Sequence, residues 1–171
     1  MPATPDPTES VANPPSASDA RQSPQVVLGF DFGRTRIGVA TGVAITGTAR
    51  PLRVLPARRQ RPDWEAIDRL LAEWRPDLLV VGVPRHADGS ANATTAAALR
   101  FSRQLHGRFH LPVATIDERL SSWEAEQRAF EPAAGRRHGD SAALDDRAAA
   151  LILESWFNQQ RSLASCAMPN S

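Results

Sequence analysis

The hydrophobic positions of this chain change period as it proceeds. Residues 26–32 form an apolar run, interrupted only at Asp31 and closed by Gly33, and 37–41 and 49–55 follow with Gly-containing turns between them. Short apolar runs bounded by turn residues predict strands. From Pro62 the period becomes helical, with Ile67, Leu70, Leu71 and Trp74 on one face, and a proline suits the first position of a helix because its missing N–H would have no partner there. Strand and helix then alternate. Residues 77–83 read as a buried strand ending in a Pro and Asp-Gly loop, 94–109 as an amphipathic helix and 112–117 as a strand. Ser121 with Glu124 forms a capping box that opens another helix, and a loop over 131–141 leads to a last helix over 142–160. This order predicts an α/β fold, a mixed five-stranded sheet flanked by helices.

Both ends lack such periodicity. Residues 1–24 are rich in Pro, Ser and Ala with almost no large apolar side chains, and such a segment cannot offset its ordering entropy. The sequence therefore predicts a disordered extension over 1–24, one domain over 25–160 and a flexible C-terminal tail over 161–171. No stretch approaches the roughly 18 to 20 apolar residues of a membrane span, residues 1–24 lack the apolar centre of a secretory signal, and the single cysteine, Cys166, excludes an internal disulfide. A cytoplasmic protein is expected.

Charge adds little by itself. The net charge is +1, and all 20 basic residues are arginine. Arginine matches phosphate in a planar, bidentate way, yet a GC-rich coding sequence produces the same bias. The functional argument has to rest on a site.

Carboxylates at the ends of strands are the candidates, because sites of open α/β sheets form there. Asp31 shares a strand face with Val27 and Gly29, where an ionised group needs a cation, a partner or solvent. By position alone it would serve equally as the residue opening the turn at Gly33. Glu118 follows the 112–117 strand, and pattern alone does not separate it from Asp117 or from an exposed acid paired with Arg119. Asp145 lies about 200° around the last helix from Arg147, whose stripe with Glu154, Asn158 and Arg161 marks the solvent face. That turns Asp145 inward and leaves Asp146 displaced by only about 100°. A favourable interaction with the helix dipole would explain either acid.

Five ordered motifs carry a resemblance. Phe30-Asp31-Phe32-Gly33 with Arg36-Ile37-Gly38-Val39-Ala40, Thr46-Gly47-Thr48-Ala49-Arg50-Pro51-Leu52, Val81-Gly82-Val83-Pro84 with Asp88-Gly89, Asp117-Glu118-Arg119-Leu120-Ser121, and Leu144-Asp145 with Ala148-Ala149 resemble the YqgF family. That family is described as Holliday-junction-resolvase-like proteins and as pre-16S rRNA nucleases. The resemblance spans roughly residues 26–160. It implies an RNase H-like fold and assigns Asp31, Glu118 and Asp145 as catalytic and metal-holding residues. The Arg85-His86-Ala87 loop departs from the family in being more basic.

Clustered carboxylates repel, and hard divalent cations relieve that repulsion. Mg²⁺ or Mn²⁺ is implied, as two ions acting on an in-line displacement at phosphorus. Arg34, Arg36 and Arg119 are candidate phosphate contacts or simple partners of the acids, and the Arg58-Arg59-Gln60-Arg61 run is a further contact or a solvated loop. Histidines 86, 106, 110 and 138 show no zinc spacing. Trp64, Trp74, Trp123 and Trp156 read as core. Asp-Phe-Gly followed by Arg-Thr also resembles the phosphate loop of actin-like folds, but one domain of this length lacks the second half those enzymes close on nucleotide. With no surplus apolar face for a symmetric dimer, a monomer acting on one nucleic-acid strand is expected. RNA is preferred and pre-16S rRNA processing ranked first, with structured DNA at a Holliday junction, or a non-catalytic RNA-binding role in ribosome assembly, as alternatives.

Overall fold

The computed structural model describes residues 26–86, 88–119 and 141–166, with 141–146 as backbone alone. Among the described residues, six strands and three helices run in the order β1 (Val26–Phe32), β2 (Arg36–Val43), β3 (Thr48–Arg58), β4 (Arg61–Pro62), α1 (Trp64–Trp74), β5 (Leu78–Val83), α2 (Ala93–Phe109), β6 (Val113–Asp117) and α3 (Ser141–Cys166). The expected α/β architecture is present, with a sixth, two-residue strand added at one edge. The strands lie in the order β4-β3-β2-β1-β5-β6. β1 to β4 are antiparallel, whereas β5 and β6 run parallel to β1.

Apart from Asp31 near its end, β1 is apolar or glycine because it is buried on both faces. Leu28, Phe30 and Phe32 point to one side, where they join Ile67, Leu70, Phe101 and Leu105 of α1 and α2. Val27 points to the other, with Val80, Ile116 and the α3 residues Ala149, Ile152, Leu153 and Trp156. The sheet is thus sandwiched between α1 and α2 on one face and α3 on the other. A side chain at Gly29 would collide with Leu153 and the Ala149 carbonyl, so glycine lets α3 lie close against the sheet.

Several boundaries differ from the expectation. Pro62 belongs to β4, paired with Ala57, and α1 is opened by Asp63, which accepts a 3.0 Å hydrogen bond from the Ala66 N–H. Asn92 and Thr95 form a reciprocal capping box that starts α2. α3 continues to Cys166 and its last turn is exposed. Trp64 and Trp74 pack against the α1/α2 core and Trp156 is buried under α3. His106 is held by the Leu111 carbonyl at 2.9 Å. The 1–24 extension, the Ser121 capping box, Trp123, the 131–140 loop, His138 and residues 167–171 lie outside the described residues. None of the described helices is long and apolar enough to cross a membrane.

Candidate active site

The carboxylates gather at the C-terminal rim of the parallel strands, on the α3 face. Asp31 is the register partner of Gly82 on β5, and Gly82 is the partner of Ile116 on β6. Strand alternation gives Asp31, Gly82 and Ile116 one face, and Glu118, two residues beyond Ile116, continues it. The Glu118 N–H donates to the Val83 carbonyl at 3.1 Å, so its backbone is still tied to the sheet. A Cβ on Gly82 would stand 2.8 Å from Glu118 Oε1 and would also collide with Ile152 of α3. Glycine at that position is what leaves room for the Glu118 carboxyl beside Asp31.

Electrostatics report the same closeness. Burial, then the negative charges of Asp31 and Asp117, push the Glu118 carboxyl up from 4.5 to about 7. A carboxyl held that high by burial first and by neighbouring charges second is a group whose ionised form needs a cation. Oxygen donors of this kind suit Mg²⁺ or Mn²⁺ better than softer metals.

Asp117 faces the other way and has a different occupation. The Arg119 guanidinium donates to it through Nε at 3.1 and 3.0 Å and through Nη2 at 2.7 Å, and Arg85 approaches to 3.8 Å. The Arg119 hydrogen bonds hold the Asp117 carboxyl below its ordinary range. Arg119 therefore stands at the rim as an ion-paired, exposed guanidinium, with the 84–90 loop alongside, where Arg85 Nη1 reaches the Gly89 carbonyl at 3.4 Å. Sequence reading gave neither Gly82 nor the Arg85–Asp117 contact a role. A glycine inside an otherwise apolar strand was the available signal for the first.

Arg34 and Arg36 flank the β1–β2 turn and are exposed. Position 145 lies one turn before Ala149 on the helix face that carries Ala149, Ile152 and Trp156. From Phe157 against Gly42 to Ala149 against Gly29 the helix advances towards the rim, and position 145 is the next step along that path. The side chains of Asp145 and Asp146 lie outside the described residues.

This chain matches the RuvX family, described as a Holliday junction resolvase, over residues 25–159. The chain belongs to that family. Membership makes it a nuclease, a hydrolase of phosphodiester bonds. A Marinobacter nauticus protein named "Putative pre-16S rRNA nuclease" is 47% identical over 137 residues, 78% of this chain and 93% of that protein. An Azotobacter vinelandii protein of the same name is 49% identical over 138 residues, covering 80% and 96%. Among solved structures, the yeast mitochondrial Holliday junction resolvase Ydc2 superposes with a TM-score of 0.52 at 14% identity, covering 86% of this chain and 84% of that one. At that identity the likeness speaks for the shared RNase H-like fold alone.

Proposed function

We propose that this RuvX-family nuclease works with divalent metal held by Asp31, Glu118 and Asp145, and that its substrate is the 5′ region of precursor 16S rRNA. The observation that carries the reading is the juxtaposition of Asp31 with a Glu118 carboxyl raised to about 7 at the rim of the sheet. Two acids placed where their charges oppose each other cost stability unless a cation is shared between them. Asp145, one turn before Ala149 on α3, is the third ligand in this reading. Mg²⁺ or Mn²⁺, as a pair of ions, supplies Lewis-acid activation of water and charge neutralisation at phosphorus.

The chain's own residues supply orientation. Arg119, fixed by Asp117, and Arg34 and Arg36 beside the β1–β2 turn present guanidinium groups to the phosphates flanking the cut, which positions a strand without reading its bases. No protein nucleophile is required. The relatives' name supports precursor 16S rRNA as the substrate, and the mild positive charge of the domain suits one strand better than a four-way junction. Purified protein with Mg²⁺ or Mn²⁺ should cleave a precursor rRNA 5′ segment, and Asp31→Asn protein prepared identically should not. Symmetric cutting of a mobile four-way junction without RNA turnover would replace this reading with junction resolution, which the family description favours. Binding of the RNA without metal-dependent turnover would leave an assembly factor.

A further inference from the structure

Two strands away from Asp31, the β3–β4 hairpin turns on consecutive left-handed residues, Arg59 at φ 51° and Gln60 at φ 63°. Two-residue turns of this geometry favour Asn-Gly, because a larger side chain is strained at positive φ. Strain that the surrounding structure maintains is a pointer to function. Here the surroundings do maintain it. The Gln60 N–H donates to the Arg34 carbonyl at 3.1 Å, and the Ala57 N–H to the Thr35 carbonyl at 2.8 Å, so the hairpin is fastened to the turn that follows Asp31.

The turn separates two concavities. One of about 510 Å³ is lined by Arg59, Gln60, Arg61, Trp64, Arg100 and Gln104, and one of about 350 Å³ joins Arg34 and Thr35 to Arg59 and Gln60. Among the described residues, no acidic side chain lines either. The Trp64 ring already stacks with Phe101 and lies under the Arg108 guanidinium at 4.4 Å, which makes it a wall of the concavity. β3 runs in the same direction as β1, so its C-terminal end points to the rim that carries the carboxylates; Val54 is level with Asp31 two strands away, which puts the hairpin about 10 Å across the sheet and about 13 Å further along the strands. Guanidinium groups that line concavities with no acidic side chain among the described residues, on the rim that carries the cutting site, match backbone phosphate.

We propose that the Arg59–Gln60 hairpin is a phosphate-binding clamp that holds single-stranded nucleic acid on the side of β1 away from Glu118. This rests on the nuclease reading above and adds to it a path for the strand: from the carboxylates past Arg34, over the hairpin, towards Arg100. Phosphate is the recognised group, so the clamp grips RNA and DNA strands alike.

The test measures binding apart from cleavage. Fluorescence anisotropy of labelled single-stranded oligoribonucleotide and its deoxy counterpart, in EDTA over a series of KCl concentrations, is compared for the full-length wild type, Arg59→Gln, Arg59→Gln/Arg100→Gln and Arg50→Gln. Arg50 is exposed at the opposite end of β3 and removes the same charge. The single hairpin variant should lose several-fold affinity, with the logarithmic salt slope reduced by about 0.7 for each arginine removed, and Arg50→Gln should match wild type. An Arg59→Asn/Gln60→Gly variant, which relaxes the turn, should melt higher than wild type and bind as weakly as Arg59→Gln, showing that the guanidinium acts and not a disturbed fold. Unchanged affinity and slope in the double variant, equal weakening by Arg50→Gln, or a loss confined to RNA would each overturn the clamp. Separate cleavage assays with Mg²⁺ keep the two readings distinct: wild type that cuts while the double variant binds normally defeats only the clamp. Arg59-dependent binding without any cutting defeats only the nuclease reading.

Discussion

Asp31 and Gly82 are register partners across the parallel β1–β5 pair, and the space above Gly82 is where Glu118 Oε1 comes in from β6. The two acids come from strands on either side of β5, so a residue without a side chain in the middle strand sets how closely they can approach. α3 seals the other side through Ile152. The candidate site is therefore specified by packing as much as by its acids.

Gly82→Ala follows directly. Its Cβ would meet Glu118 Oε1 at 2.8 Å and collide with Ile152, two contacts that cannot both relax outward because α3 and β6 flank the position. Overpacking of this kind costs about 1–3 kcal/mol, and the displaced Glu118 should lower metal-dependent cleavage by at least tenfold. Thermal melting and initial rates measured together would check it. An Ala variant with wild-type rate would show that the separation of Asp31 from Glu118 is not critical.

Neutralising the acids one at a time gives a second prediction. Asp31→Asn, Glu118→Gln and Asp145→Asn should each reduce cleavage by about 10² or more, since residues acting as one metal-holding unit fail together. Circular dichroism should remain native. Asp146→Asn should keep activity. A dead Asp146→Asn beside an active Asp145→Asn would reverse the assignment made from helix rotation.

How far these positions could be read beforehand varies with the strength of the local signal. β1 was legible to the residue because burial on both faces makes every position but Asp31 apolar or glycine, and Gly33 ends the run. β4 was not, because two residues carry no period, and Pro62 fits a helix start as well as the edge strand it occupies. β3 runs longer than its apolar stretch because Pro56 and Arg58, which continue it, face solvent. α3 outran its apolar stripe because Arg161 to Cys166 contains no helix breaker, and an exposed last turn needs no partner. The choice of Glu118 over Asp117 came from the family resemblance, and the β6 alternation, in which buried Ile116 shares a face with Glu118, supplies a physical reason for it. Five residues of mixed polarity are too few to show that phase from sequence alone.

Asp117 predicts a third outcome. Asp117→Asn removes the charge that fixes Arg119 and draws Arg85, so both guanidinium groups lose their orientation. Because Arg119 and Arg85 are exposed and Asp117 is only partly buried, stability at neutral pH should change little, while KM for the RNA should rise several-fold. In the wild type, the lowered Asp117 carboxyl contributes stability above its ordinary value and loses it as pH falls through the depressed one. The variant should lack that acid-side component in a melting series below about pH 4. Identical KM in the two proteins would remove Arg119 from substrate positioning.

Glu118 gives the opposite sign on the neutral side. In metal-free protein its carboxyl stays protonated up to about pH 7, whereas in the unfolded chain it ionises near 4.5. Between those values the unfolded state binds fewer protons, so stability is full below 4.5 and falls as pH rises to about 7. Glu118→Gln cannot ionise and should escape that loss, melting above wild type at pH 8 by about 2–4 °C for each kcal/mol relieved, with little difference at pH 5. Divalent metal should cancel the difference by stabilising the ionised wild type, since a carboxylate must lose its proton to bind. Calorimetric titration with Mg²⁺ in buffers of different ionisation enthalpy should then show protons released at pH 6.5 and almost none at pH 8.5, with the release absent from Glu118→Gln. Equal release from wild type and variant would mean that the cation does not displace the Glu118 proton, and the carboxylate pair would lose its place as the metal site.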